Sequence, residues 1–561
     1  RSGLIVLIYK EGGKPREATS SYRPITLLNC DVKIVAKVVA RRMGPAMGNV
    51  IDATQTAFVP GRTIADNVLL HLEEIDYLEE RQQQGVLLFL DFASAYDRVD
   101  RGWLWKCMQA MQFPAVAVRW AQLLLAGTQG RVTFNGGHLS RVFDIPAGCA
   151  QGSPLSPLLY VIAAQPLAAR CRQLQQQGRI SSIVLPSGQP APPTHQHADD
   201  TSLHAKDMAS ANVLLQQAVR PFCEASAAEL SVPKCSGMML GSPQPFVGVD
   251  TASGIPFPDT AVAPIKHLGI LMAAGGVMQH AEGLFTQRLA AITWRTRQWA
   301  SQDLSLLGRA AVAKQIMGPC VLYHAQFVPV PEALASYLHR RILAFVLGKG
   351  CLTRQQLQQL RCSPPAAVAA LPVDMGGIAQ VDVRAHITAM QAKVAAALLH
   401  PRRAAWKLFL EDALARAFPG LGTAVLLQQS RRAVATATAQ GRLSQRRAAY
   451  MEAFQQVGLQ RHVPHEHMSA HQIKLEGLVG NHSVGSSSTG GMLPAAASLP
   501  THLRGGATIG QVLQQLMMQP TTDGIVLPHP WQQQLQQAAE AEWLCDDTQG
   551  WVQHTTDTQT Y

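Results

Sequence analysis

Apolar and polar positions alternate irregularly over the first half of the chain, and short apolar runs there stop abruptly on charged residues. Gly85-Val-Leu-Leu-Phe-Leu90 is such a run: six residues, no polar break, then Asp91. Its length and apolar character predict a hydrophobic strand. The opening run Gly3 to Ile8 has the same character. Between the runs, apolar residues recur at helical spacing over Asp31 to Met43 and Val68 to Gln83. Pro186-Ser-Gly-Gln-Pro-Ala-Pro-Pro-Thr194 cannot hold regular structure and predicts a loop. This mixture up to about residue 275 predicts an α+β or α/β region. From about 276 to 400 the pattern turns helical, with Ala300 to Met317 as an amphipathic candidate that Pro319 should end.

Composition sharpens the picture only in part. The 561 residues are 47% hydrophobic and 15% charged, enough apolar surface for large cores. Lys and Arg exceed Asp and Glu by 48 to 37, a formal net charge of +11 that favours an acidic partner such as nucleic acid. Residues 401–450 hold nine basic residues against two acids, and 451–561 hold three against nine. The stretch after 450 is Ser/Gly-rich at Gly485 to Gly491 and Gln-rich around 511–537, which predicts a linker with loose helices or disorder. The ten cysteines form no C-x-x-C pair, which argues against zinc knuckles and disulfide scaffolds and for a reducing compartment. No uncharged apolar stretch is long enough to predict a membrane span. The chain opens on Arg1, and a fragment of a longer product without a signal peptide is expected.

Three carboxylates stand out chemically. A hydrophobic strand delivers Asp91 at its end, where a sheet opens to a cleft. In His195-Gln-His-Ala-Asp199-Asp200-Thr-Ser-Leu-His204, two adjacent acids interrupt β-like residues, predicting a hairpin whose turn carries the pair. Adjacent carboxylates repel unless a cation lies between them, and three together suit two divalent ions that clamp a phosphoryl transfer. Between these sites, Gly148-Cys-Ala-Gln151-Gly152-Ser-Pro-Leu-Ser-Pro157 combines a glycine that permits close approach with prolines fit for a helix's first turn. Asp-Asp alone is a common turn dipeptide, so the signal lies in the combination.

The order of motifs resembles the reverse transcriptases of non-LTR (LINE-type) retrotransposons, with group II intron enzymes as more distant relatives. The carriers are Tyr22-Arg-Pro-Ile-Thr-Leu-Leu-Asn29, Lys33-Ile-Val-Ala-Lys37, Gln55-Thr-Ala-Phe-Val-Pro-Gly-Arg62 with Asn67, and Phe89-Leu-Asp-Phe-Ala-Ser-Ala-Tyr-Asp-Arg-Val99. Gln151-Gly-Ser-Pro-Leu-Ser-Pro157, Ala198-Asp-Asp-Thr201, Leu230-Ser-Val-Pro-Lys234 and His267-Leu-Gly-Ile270 follow. Weaker echoes are Trp299, Leu304-Ser-Leu-Leu-Gly-Arg309 and Met375-Gly-Gly-Ile378. The resemblance implies a right-hand polymerase: fingers and palm over 1–275, a helical thumb or connector over 276–400, then a basic helical segment and a biased tail over 401–561. It implies an RNA-directed DNA polymerase acting on an RNA template, a DNA primer and dNTPs with two Mg²⁺ ions, Mn²⁺ being able to substitute.

Carried over by motif, Asp91, Asp199 and Asp200 would be the catalytic metal ligands, with the Phe92 backbone carbonyl on one ion. Tyr96 would exclude a ribose 2′-OH, and Gln151 and Gly152 would meet the incoming nucleotide and template. Arg23 and Arg62, with Lys10 a weaker candidate, would face the triphosphate, and Lys234 would protonate the leaving pyrophosphate. Arg23, Arg62 and Lys10 could instead hold a nucleic-acid phosphate or lie on a solvated face, and Lys234 could be a surface lysine after a strand. His197 stands where the family usually has Tyr. The His195/His197/His204 cluster could be a transition-metal site, but the hard oxygen ligands beside it point to Mg²⁺. A decayed nucleic-acid-binding relic and a group II intron maturase are the alternatives. Nuclear or cytoplasmic location is expected, without a compact basic import signal.

Overall fold

The computed structural model describes residues 2–457 apart from 11–14, 135–136, 243, 350–351, 361–365, 401–403, 420–428 and 430. The Ser/Gly-rich and Gln-rich segments expected to be loose therefore lie outside the described residues. The chain forms two compact units. One holds residues up to His280 and takes in the segment ending at Phe409; the other starts at Ala281 and includes the described residues from Leu410 on.

The first unit is α+β. The strands of its two larger sheets are β1 (Ser2–Tyr9), β2 (Tyr22–Leu27), β3 (Gly85–Leu90), β4 (Gln129–Phe134), β5 (His138–Leu139), β6 (Phe143–Asp144), β7 (Thr194–His197), β8 (Asp200–Ala205) and β9 (Ser236–Leu240). Its main helices are α1 (Cys30–Val50), α2 (Ile64–Arg81), α3 (Ala95–Arg98), α4 (Arg101–Ala110), α5 (Ala115–Leu125) and α6 (Ser156–Gln176). One sheet runs β2-β1-β4-β5 with β6 on β4; β1 pairs antiparallel with β2 and parallel with β4. A second sheet runs β7-β8-β3-β9 and is antiparallel throughout, and two short two-stranded ribbons follow it within residues 248–272. The apolar run β3 lies inside this second sheet and all six of its residues are buried, each large side chain contributing roughly 1.5–3 kcal/mol.

Three helices depart from their predicted spans for local reasons. α2 begins at Ile64 rather than Val68 because Asp66 reaches back to the N–H and hydroxyl of Thr63, at 3.0 and 2.8 Å. α1 continues through Pro45 to Val50, beyond Met43. Its last carbonyls are then taken up by Arg62, which donates to Gly48 and Ile51. In the second unit the candidate Ala300–Met317 breaks: one helix ends at Ala300, and Ser305 caps the next by accepting from the Gly308 N–H at 3.1 Å. That helix does not stop at Pro319. A π turn over Ala313–Met317, closed by Gly318 N–H to Ala313 C=O, sets the backbone so that proline, which lacks a donor, starts Pro319–Ala325.

The second unit is helical where described, including Glu332–Val346, Val383–Leu399 and Gln445–Val457. Not all of the basic charge of residues 401–450 faces outward. Arg446 and Arg447 are buried, and Arg442 donates to Ala417 C=O. No helix among the described residues is long and apolar enough to cross a membrane.

Behind β8 lies a buried polar network. His204 Nδ1 meets Glu74 Oε2 at 2.7 Å, and its Nε2 meets the Ser202 hydroxyl at 2.8 Å. That hydroxyl also meets His71 Nε2 at 2.8 Å. His71 and His195 are held well below the ordinary imidazole value, first by burial and then by neighbouring histidines. Burial likewise pushes His267 down to about 3. These imidazoles are neutral when folded, so the stability they contribute is complete above the unfolded value near 6.5 and is lost as pH falls toward the folded value. Each costs up to about 1.4 kcal/mol per pH unit in that window. Urea titrations of the first unit between pH 7 and 5 should thus show a flatter pH slope for His267→Gln than for the parent; equal slopes would remove His267 from this account.

Candidate active site

β3 ends at Leu90 because the next residue must leave the core. Asp91 is held at the strand end by its backbone: its N–H points to Cys235 Sγ at 3.4 Å, and its C=O accepts from Ser231 N–H at 2.8 Å. Ala93 N–H donates to Glu229 C=O at 2.8 Å, and Phe92 bridges Leu230 between these two bonds. Strand alternation then turns the Phe92 carbonyl away from Leu230, toward the edge on which β3 pairs with β8.

That edge carries the other two acids. β7 and β8 form the predicted hairpin, His197 opposite Asp200, with Ala198 and Asp199 as its loop. Leu90 lies opposite Thr201, so the register brings Asp91 beside Asp200. The carboxylates sense one another. Asp200 is pushed up to about 6, first by its dehydrated surroundings and then by Asp199 and Asp91. Its side chain still reaches water, which screens part of that repulsion. Asp199 is also raised, by burial and then Asp91, while Arg23 pulls it down. Lys234 Nζ meets Asp91 Oδ1 at 3.3 Å, both side chains about half exposed. Among the described residues no three His, Cys, Asp or Glu side chains close into a ligand set. The acids are neighbours in register and charge rather than a finished cage. Their donor set is hard oxygen, which suits a small divalent cation better than a thiophilic one.

Around them, Tyr96 lies on α3 and stacks on Tyr160 of α6, ring centres 4.4 Å apart and 19° from parallel. Burial and the charge of Asp199 raise its phenol above the ordinary value. Gln151 Nε2 donates to Asp97 Oδ2 at 2.9 Å, and its backbone C=O accepts from Thr26 N–H at 2.7 Å. Gly152 has φ +119, and a Cβ there would lie 2.4 Å from Thr26 O, so β2 and this loop touch backbone to backbone.

The predicted cations separate. Arg23 is exposed on β2, its charge felt at Asp199. Arg62 donates to the backbone carbonyls of Gly48, Ile51, Asp52 and Gln55, so its guanidinium serves its own loop. Burial raises the pKa of Asp97, and Lys10 lies close enough to offset part of that rise. The three histidines expected as a possible metal cluster also have other work. His197 Nδ1 meets Thr56 Oγ1 at 3.0 Å and burial lowers its pKa; His195 and His204 belong to the buried network.

Several contributors carry no signal in one sequence. Asp97 orients Gln151, Tyr160 supports Tyr96, and Gln55 bonds the acid-bearing turn. Gln55 and Asp97 sit inside recognisable motifs, but nothing in their spacing reveals what they touch.

Residues 8–272 match the family described as reverse transcriptase (RNA-dependent DNA polymerase), whose members as a class use divalent metal ions and RNA templates. The transposon TX1 uncharacterized 149 kDa protein of Xenopus laevis is 28% identical over 398 residues, 69% of this chain and 28% of that protein. The RNA-directed DNA polymerase from mobile element jockey of Drosophila melanogaster is 24% identical over 361 residues, 61% of this chain and 37% of that protein. The chain thus spans well under half the length of these two relatives. Among solved structures, the RNA-dependent RNA polymerase of a human picorbirnavirus (insertion-loop deletion mutant) is 12% identical with a TM-score of 0.36, covering 70% of this chain and 64% of that one. A Candida tropicalis telomerase in complex with a fragment of telomeric RNA is also 12% identical, with a TM-score of 0.33 and coverage of 72% and 63%. The matched span contains all three acids, the hairpin that carries two of them, and the glycine loop against β2: residues 8–272 of this chain belong to the reverse transcriptase (RNA-dependent DNA polymerase) family.

Proposed function

We propose that this chain is the RNA-directed DNA polymerase portion of a non-LTR retrotransposon protein, extending a DNA 3′-OH on an RNA template with dNTPs. The observation that carries it is the register that sets Asp91 beside the Asp199–Asp200 turn within a reverse transcriptase domain. Asp91, Asp199, Asp200 and the Phe92 carbonyl would hold two Mg²⁺ ions, or Mn²⁺ in their place. Such ions lower the pKa of the primer hydroxyl and neutralise charge on the triphosphate. The carboxylates take cations because their mutual repulsion is relieved by them. Arg23, exposed beside Asp199, adds a positive charge for the triphosphate. Arg62 acts one step back, fixing the loop rather than touching phosphate. Lys234 parts from Asp91 to give its proton to the leaving pyrophosphate. Gln151, oriented by Asp97, and Gly152 line the nucleotide and template position.

Tyr96, braced by Tyr160, is the gate against a ribose 2′-OH. Tyr96→Ala should raise rNTP use relative to dNTP by about two orders of magnitude, the discrimination a shaped pocket supports. Comparing kcat/KM for dCTP and CTP checks this, and an unchanged ratio would remove Tyr96 from sugar selection. The function itself is tested by primer extension on an RNA template with Mg²⁺. Template-dependent DNA is expected; a folded chain that binds the duplex without extending it would favour the relic.

A further inference from the structure

The turn bearing Asp199 and Asp200 has an unusual first residue. Ala198 has φ +59, at a two-residue hairpin position where glycine is favoured. An alanine there is strained by about 1–3 kcal/mol and persists only if its surroundings hold it. One side chain does so. Gln55, only 1% exposed, accepts the Ala198 N–H at its Oε1 at 2.9 Å and donates from Nε2 to the Ala198 C=O at 3.3 Å. The same Oε1 accepts the Ala57 N–H at 3.0 Å. The carboxamide thus takes both backbone groups of the residue that immediately precedes the acid pair.

Gln55 is itself framed. Thr56 N–H donates to Gln196 C=O at 2.9 Å, and Gln196 N–H donates to Thr54 C=O at 3.0 Å, so residues 54–56 lie along β7 like a short parallel strand. Arg62 holds the Gln55 carbonyl at 2.8 Å. Asp52, three residues earlier, is paired with Arg172 of α6 at 2.7 Å. Every rotation of the Ala198 peptide would swing both following carboxylates, and this frame prevents it.

We propose that Gln55 is the positioning residue of the divalent-cation site, fixing Asp199 and Asp200 through the backbone of Ala198. The inference rests on the reading that these carboxylates hold the cations. It is tested with Mn²⁺ binding to the full chain, followed by electron paramagnetic resonance without substrate, and with the Mg²⁺ dependence of primer extension. Gln55→Met keeps the volume and removes the bonds; Gln55→Leu serves if that variant does not fold. The Mn²⁺ dissociation constant and the half-saturating Mg²⁺ concentration should both rise about 10- to 100-fold, the usual effect of losing an outer ligand-orienting bond. Affinity for primer–template should stay unchanged, with extension recovering at high Mg²⁺. Leu104→Ala, a core truncation in α4, provides a destabilised control whose Mn²⁺ affinity should not move. Unaltered Mn²⁺ affinity in a Gln55 variant with lowered thermal stability would overturn the proposal and leave Gln55 a merely structural residue. A chain whose Mn²⁺ binding is equally strong after Asp199→Asn/Asp200→Asn would instead overturn the reading of the carboxylates.

Discussion

Asp199→Asn/Asp200→Asn should abolish template-directed DNA synthesis, by at least about 10³-fold, while leaving a folded chain that still binds primer–template. The size follows from charge: amides keep the shape of the turn but remove two of the three negative groups that would hold cations, and such electrostatic stabilisation commonly carries 10²–10³-fold per group. The same variant carries a second sign. Asp199 and Asp200 both sit above their ordinary pKa because burial and neighbouring acids disfavour their charge. Neutral side chains relieve that at pH 7, so without divalent ions the double variant should melt no lower than the parent. Primer extension and a thermal scan in chelator measure the pair of results. Synthesis that survives would take the carboxylates out of the mechanism; a large drop in melting temperature would mean that they are structural.

Gly152→Ala should damage both stability and turnover. The left-handed φ of +119 is one that side chains rarely adopt, at roughly 1–3 kcal/mol for such backbone strain. The added methyl would also meet Thr26 O, a main-chain atom of β2 that cannot rotate away. Relief requires β2 and the Gln151 loop to part, breaking the Thr26 N–H to Gln151 C=O bond. Arg23 on β2 and Gln151 would then be out of place together. A shift near 1 Å can cost about 10²-fold in rate, so kcat/KM for dNTP should fall by that order alongside a lower unfolding midpoint. A variant with both quantities intact would show that the two segments separate without consequence.

Where local chemistry decides, the sequence is legible. β3 and Asp91 announce themselves as an unbroken apolar run ending on an acid, and the polar break at Ala198–Asp199 marks the hairpin. The helix that starts at Ser156 is equally plain, because Pro157 suits its first turn. Prolines elsewhere mislead. Pro45 is tolerated within α1, and Pro319 follows a π turn that no periodicity foretells. The division into units falls after His280, whereas the change in pattern suggested about 275. Least legible are the roles set by distant partners. Arg62 looks like any finger cation until four carbonyls, from the end of α1 and the loop after it, are found around it. Gln55 is an unremarkable amide until its partner, 143 residues away, is known.

The placing of β3 governs how the chain acquires its fold during synthesis. The strand is translated early, but β8 pairs with it only from residue 200 and β9 only from residue 236. For more than a hundred residues of elongation, Val86 to Leu90 has neither sheet neighbour, and contacts this far apart in sequence form late. A nascent chain stalled before residue 200 should therefore leave this apolar segment without a sheet partner and prone to aggregation. The sheet that carries the first acid is therefore complete only once residue 240 has been made.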